Sequence, residues 1–238
     1  MNRTALHGAF RAVKKVLPGW ASNSIRRIAT AILAPLLFSY STGHFRSSLT
    51  MVAVAKGGEP LPWYSYPCID FLKHRPYAGR VVLEFGGGQS TLWWARRAGR
   101  VVTLEGDRAW YQRIARTMPP NVELHHIDEG NPVICAQRVE EALQRSPYGS
   151  YDVIIIDGLW RTEMIDFAVR YVADDGMIIC DDAHGYGIQE GFRTHGFNRV
   201  DFFGYSAGGI LPTVTSIYFH PTSFGFGATH AIPVASPQ

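Results

Sequence analysis

The chain has 238 residues, 46% of them hydrophobic, and a formal net charge of +3. That is enough for one globular domain with a substantial core plus an extra segment, and it excludes a low-complexity or disordered chain. The charge is uneven: eight of the 23 basic residues precede the first acid, Glu59, which leaves 15 bases against 20 acids, or −5, for the remainder. An acidic main body lacks the concentrated basic surface that a polyanion needs, so nucleic acid is not expected as a partner.

Cys68, Cys135 and Cys180 are odd in number and widely spaced, without the Cys/His pattern that builds a zinc site. They read as free thiols of a reducing compartment, hence an expected cytoplasmic location. The longest apolar run, Ile28 to Phe38, is too short to cross a hydrocarbon core and contains Pro35, so no transmembrane helix is predicted.

In chain order, residues 1–55 form a basic helical segment: two short helices broken at Pro18-Gly19. The first has Phe10, Val13, Val16 and Leu17 on one face and Arg11, Lys14 and Lys15 off it. Such a face ordinarily packs on its own domain or on a partner subunit, a homo-oligomer included. An acid-free, basic, amphipathic start also suits peripheral contact with an anionic membrane surface, or a transit peptide. Arg26-Arg27 before an apolar run hints at an export signal, but no small-residue cleavage site is clear after it and export is not predicted.

Residues 56–222 are expected to form the main domain and 223–238 a loose tail. From Gly57 the punctuation changes: Pro60, Pro62 and Pro67 interleaved with Trp63, Tyr64 and Tyr66 describe an extended aromatic approach to a helix over Cys68–His74. Apolar runs then alternate with helical patterns. Strands are predicted at Val81–Phe85, Val101–Glu105, Val122–Ile127, Val153–Asp157 and Met177–Asp181, with helices near 91–98, 108–117, 133–145 and 161–173. Nearly all-apolar strands separated by helices mean a parallel sheet covered on both faces, an α/β doubly wound fold. Asn198–Tyr205 and Thr213–His220 alternate like strands without a helix between them, so the sheet is expected to end in an antiparallel pair.

The most informative stretch is Val81-Val-Leu-Glu-Phe-Gly-Gly-Gly-Gln-Ser-Thr-Leu-Trp-Trp-Ala95. A buried strand carries Glu84, turns through Gly86, Gly87 and Gly88, and enters a helix behind Ser90 and Thr91. Glycines let backbone close around a ligand, and a fresh helix end offers N–H groups to an anionic group such as a carboxylate. In a doubly wound sheet this turn lies at the crevice where ligands bind, and Glu105, ending the next strand, is spaced to accept hydrogen bonds from ribose hydroxyls. A nicotinamide-dependent dehydrogenase shares this layout, but Thr91 stands where the third fingerprint glycine belongs. No lysine follows Lys73, which removes a downstream Tyr-x-x-x-Lys pair and a P-loop, and no Gly-x-Ser-x-Gly elbow is present.

Glu84-Phe-Gly-Gly-Gly resembles the acidic-x-Gly-x-Gly signature of class I S-adenosylmethionine-dependent methyltransferases, and residues 80–220 resemble that fold in strand spacing. The resemblance implies S-adenosylmethionine as cofactor and a mostly parallel seven-stranded sheet. It also implies that Gly86–Gly88 hold the methionine end, that Glu84 places its ammonium group, that Glu105 holds the ribose and that Asp128 faces the adenine amino group. The neighbouring histidines His125 and His126 point to opposite faces of their strand, which argues against a joint metal role.

Asp157, Asp181 and Asp182 end two adjacent strands and are expected to converge on the crevice, where their oxygens suit a hard divalent cation such as Mg²⁺. This layout resembles catechol-type O-methyltransferases, apart from Asp182 in place of the usual asparagine. An acceptor oxygen must lose a proton as it attacks the methyl group. Asp157 and His184, just past Asp182, are the candidate catalytic residues, His184 because its pKa lies near neutrality. Trp160 and Arg161 follow the fourth strand towards the same mouth, to stack on and recognise an acceptor or to cap the core. The reading is a methyltransferase acting on an oxygen or nitrogen of a small-molecule or glycan acceptor. An inactive methyltransferase fold serving as a scaffold is the alternative.

Overall fold

The structure, a computed structural model, describes residues 8, 11–12, 15–128, 130–158, 160–185 and 187–227. Phe10, Val13 and Lys14 of the predicted first helix, and the end of the tail, lie outside the described residues.

Seven strands form one sheet: β1 (Val81–Phe85), β2 (Arg100–Glu105), β3 (Val122–His126), β4 (Tyr151–Ile156), β5 (Val172–Cys180), β6 (Asn198–Tyr205) and β7 (Pro212–Phe219), in the order β3-β2-β1-β4-β5-β7-β6. β1 to β5 pair in parallel, whereas β7 runs antiparallel to both β5 and β6. This is the predicted architecture, and the antiparallel β7 distinguishes it from the wholly parallel sheet of a dinucleotide-binding domain. Alternate residues of each central strand face opposite sides, so both faces are apolar. Leu83, Val102, Ile154 and Ile178 pack towards helices α6 (Pro132–Arg145), α7 (Met164–Tyr171) and α8 (Ile188–Arg193). Val82, Val101, Ile155 and Ile179 pack on the other side against α3 (Tyr66–Leu72) and the buried Trp93 and Trp94 of α4 (Gln89–Ala95).

Local chemistry sets the element ends. Asp107 caps α5 (Arg108–Ile114) by accepting the Trp110 amide at 2.8 Å. Asn131 caps α6 by accepting the amides of Val133 and Ile134 ahead of a proline at the first turn. The aromatic approach divides: Tyr64 and Tyr66 are buried in the core, while Trp63 is 55% exposed and lines the cavity described below. All three cysteines are buried thiols.

The N-terminal segment departs from expectation. Pro18 does break the chain, but the segment after it is one 24-residue helix, α1 (Gly19–Thr42), which runs through Pro35. A second helix, α2 (His44–Thr50), comes after a bend at Gly43. The Ala-, Leu- and Ile-rich sequence around Pro35 sustains the helix despite one lost backbone hydrogen bond.

Candidate functional site

A cavity of about 1190 Å³ opens at the carboxyl ends of β1, β2, β4 and β5. That is more than one drug-sized ligand fills, leaving room for a cofactor and an acceptor together. Gly86, Gly87, Gly88, Ser90, Glu105, Asp157, Asp181 and Asp182 all line it, while Glu84 lies buried immediately beneath the glycine loop.

The loop is held tightly. Gly86 has φ +95°, and a Cβ there would stand 2.7 Å from the backbone of Gly158. A side chain is therefore excluded twice, by the dihedral and by the facing strand end. The loop amides are all engaged: Gly86 donates to the Leu104 carbonyl at 2.8 Å, Gly87 to Glu105 Oε2 at 2.7 Å and Gly88 to Thr91 Oγ1 at 2.9 Å. These bonds fix the loop, and what its glycines present to the cavity is bare backbone. Gly88 has an extended φ of 172°, and a Cβ on it would meet only the Trp110 ring, at 3.8 Å. Trp110 had no signal in the sequence: its indole N–H donates to the Gly87 carbonyl at 2.7 Å across 23 residues of chain.

Glu84 is fully buried. Its Oε2 accepts from the hydroxyls of Thr91 and Thr103, whereas Oε1 has no hydrogen-bond donor among the described residues. Burial pushes this carboxyl up to about 7, and the nearby hydroxyls of Ser90, Thr91 and Thr103 restrain the rise. This acceptor lies two residues before the glycine loop and is the candidate partner for the ammonium group of a ligand. Glu105 accepts two backbone amides, Gly87 on one oxygen and Asp107 on the other at 2.8 Å. A carboxylate has about four lone-pair sites, so capacity for ribose hydroxyls remains. Glu105→Ala removes both loop anchors together with the remaining lone pairs that the ribose assignment requires. Cofactor affinity is expected to fall by about 1.5–3 kcal/mol, readable by calorimetric titration with S-adenosylhomocysteine. Unchanged affinity in a folded variant would reject the assignment.

Asp128 is not brought to the cavity. It stands exposed beyond β3, accepting the Gly130 amide and pairing with Arg138 at 3.8 Å, while Ile127, Cys135 and Val139 form the apolar wall on that side. His125 pairs with Glu123 and His126 packs on Tyr111, on opposite faces as expected.

At the other end a protein cation, Arg161, stands among the three aspartates, facing the carboxylates of Asp157 and Asp182 and the backbone of Asp181. Arg161, with only 12% of its side chain exposed, donates to Asp157 Oδ1 at 3.1 Å and to the backbone carbonyls of Gly158 and Asp181 at 3.0 Å, and lies 3.7 Å from Asp182. Asp181 accepts from Thr215 at 2.7 Å, and Asp182 accepts from Thr213. Each carboxylate is thus turned towards its own partner. Among the described residues no group of three His, Cys, Asp or Glu side chains is placed to hold a metal. The expected Mg²⁺ site on Asp157, Asp181 and Asp182 does not fit this geometry. Burial raises the Asp157 carboxyl above the ordinary carboxylate range, with Arg161 opposing and Glu84 and Asp182 reinforcing the rise. Burial and then Asp157 raise Asp181 likewise. His184 is exposed and outside the cavity lining, which corrects its expected place beside the reacting atoms.

Backbone strain collects here too. The non-glycine residues with positive φ among those described are Met51, Trp160 and Asp182, at 52°, 55° and 50°, and all three line the cavity. Such conformations cost roughly 1–3 kcal/mol each and persist where the surroundings over-determine them, typically at functional sites. Trp160 lines the cavity and also packs against the core.

No protein-family model matches the sequence, and no curated protein does. Among solved structures, a precorrin-6y C5,15-methyltransferase from Geobacter metallireducens is 17% identical, covering 72% of this chain and 95% of its own, with a TM-score of 0.51. The O-methyltransferase TomG from Streptomyces achromogenes, solved with SAM, is 20% identical over 82% of this chain and 95% of its own, with a TM-score of 0.48. An O-methyltransferase from Bacillus cereus, solved with SAH, is 17% identical over 83% and 97%, with a TM-score of 0.47. The strand order and the first of these likenesses give this chain the class I methyltransferase fold.

Proposed function

We propose that this chain is an S-adenosylmethionine-dependent methyltransferase acting on an oxygen or nitrogen of a small molecule or glycan. The observation that carries the proposal is the cradle of Gly86, Gly87 and Gly88 on the cavity wall beside Glu105, with the fully buried carboxyl of Glu84 behind it. Glu84 then receives the cofactor's ammonium, Glu105 the ribose hydroxyls, and the wall of Leu104, Ile127 and Val139 the adenine. The cofactor supplies an electrophilic methyl group on a sulfonium. Asp157, held by Arg161 at the cavity floor, accepts the proton that the acceptor oxygen or nitrogen loses as it attacks. Trp63, Trp160, Met51 and Val52 shape the acceptor end.

Glu84 makes the binding step testable by protons. Its folded-state pKa, about 7, lies above the ordinary 4.5, so the free protein loses stability as pH rises from 4.5 through 7. A ligand ammonium favours the ionised carboxylate. Binding of S-adenosylhomocysteine at about pH 6.5 is therefore expected to release most of a proton, with affinity rising towards higher pH. Calorimetry in buffers of different ionisation enthalpy measures this release, and Glu84→Gln is expected to abolish it. A buffer-independent heat in the native protein would reject this role, and failure to bind the ligand at all would reject the proposal.

A further inference from the structure

The helix pair at the N-terminus has a surface that the catalytic domain does not explain. From Ile28 to Phe38, α1 carries no charge and buries no side chain: Ile28, Ile32 and Leu36 are each more than half exposed, and Leu33, Leu37 and Phe38 more than a third. These positions encircle the helix instead of forming one stripe, a pattern otherwise found in helices surrounded by apolar material on all sides. At Gly43 the chain bends by 66° into α2, where Phe45 and Leu49 are again exposed. The bend is built in. Gly43 has φ +83°, and a Cβ there would overlap the backbone of Val54 and Ala55.

We propose that this bent pair seats the protein on an anionic lipid bilayer by dipping into one leaflet. The run from Ile28 to Phe38 has 11 residues, about 16 Å of helix, close to half of a hydrocarbon core roughly 30 Å thick. No single helix among the described residues is long and apolar enough to cross a membrane. The charges flank the apolar run in the sense that anionic headgroups require: exposed Arg26 and Arg27 before it, exposed Arg46 and Lys56 after the bend, and no acid before Glu59. A second copy of the chain would cover one side of α1 and leave the rest of its apolar circumference in water, whereas lipid covers all of it.

The seat has a bearing on the site. The end of α1 packs on the domain through Phe38 against Tyr66, and His44 bonds the loop between β6 and β7 at Ser206. That loop exposes Ile210 and Leu211, at 91% and 76%. Directly after α2, Met51 is both 77% exposed and part of the cavity lining. The apolar surface thus continues to the mouth of the cavity, which would open at the lipid–water interface.

Co-flotation of the full-length protein with vesicles tests this independently of any chemistry in the cavity. Binding is expected to vesicles of phosphatidylcholine with about one-third phosphatidylglycerol, and to weaken markedly without the anionic lipid or at high salt. The exposed substitutions Ile32→Asp and Leu36→Asp should each lower partitioning by about 100-fold, with circular dichroism and thermal unfolding unchanged. Arg26→Glu with Arg27→Glu should remove the preference for anionic vesicles. Failure to float with any composition, or a stable dimer in solution that Leu36→Asp dissociates while vesicles bind nothing, would overturn the proposal. Equal binding to neutral vesicles would overturn its anionic part.

Discussion

Gly86→Ala is expected to lose cofactor binding by about 100-fold or more and to unfold at a lower temperature than the native protein. The glycine sits at φ +95°, and the added methyl would lie 2.7 Å from the Gly158 Cα and nitrogen. Those are backbone atoms joined to β4, not the end of a side chain that can swing away. A left-handed residue costs roughly 1–2 kcal/mol, and forced overlap in a packed region about 1–3 kcal/mol more. Relief would come only by moving the loop away from Gly158, which breaks the hydrogen bonds that the Gly86 and Gly87 amides donate to Leu104 and Glu105 and uncovers Glu84. Gly88→Ala is the internal control, because its backbone is extended and its nearest neighbour is the Trp110 ring at 3.8 Å. Its stability should match the native protein within about 0.5 kcal/mol. Gly88→Val should still fold but bind weakly, since its larger side chain projects into the cavity. Thermal unfolding and calorimetric titration with S-adenosylhomocysteine separate these outcomes. A Gly86→Ala protein with native affinity and stability would remove the loop from the cofactor site.

The glycine motif was legible because its chemistry is local: three adjacent residues without side chains between a buried strand and a helix admit few other uses. The position that needs a left-handed angle was not, since it depends on Gly158, more than 70 residues away. The strands were legible as near-continuous apolar runs, a consequence of burial on both faces, and β6 has the predicted bounds. Strand ends slid where pairing resumes beyond an irregularity, as at β5, which begins at Val172, paired with Tyr151, in place of the predicted Met177. The length of α1 was not legible for a related reason. Pro35 and the apolar run from Ile28 suggest a short segment, while the helix is continuous because nothing else in it opposes helix formation.

The acid cluster marks the limit of reading a site from strand ends. Three carboxylates at neighbouring strand termini suggest a cation between them, and a cation is there, but it is a guanidinium. Arg161 lies four residues past Asp157, and only the turn carrying Trp160 at φ 55° brings it back over the aspartates. The sequence offered Arg161 as an acceptor-recognition residue and left the charge at Asp157, Asp181 and Asp182 to a metal. His184 and Asp128 failed differently. Both follow strands closely enough to suggest the crevice, yet each side chain is exposed and outside the cavity lining.

Asp157→Asn should therefore carry the larger catalytic defect. With the reaction run on an identified acceptor, the variant is expected to lose about 10²–10⁴-fold in kcat while binding S-adenosylhomocysteine within about threefold of the native protein. The asparagine keeps a carbonyl for Arg161 but cannot take a proton. To act as the base Asp157 must be ionised, and burial raises its pKa above the ordinary carboxylate range. The rate should accordingly climb as pH rises through that raised pKa and level off above it, and Asp157→Asn should flatten this limb. A neighbouring group sharpens the test. Arg161→Lys keeps a positive charge but loses the forked contacts to Asp157 and the backbone, so its limb should move to higher pH as the opposing charge is withdrawn. His184→Ala should stay within about twofold of native activity. Chelation should leave turnover intact, since Arg161 fills the centre of the acid cluster. Metal-dependent turnover, or an Asp157→Asn enzyme with native kcat, would transfer the proton to another group and return the cluster to a cation-binding role.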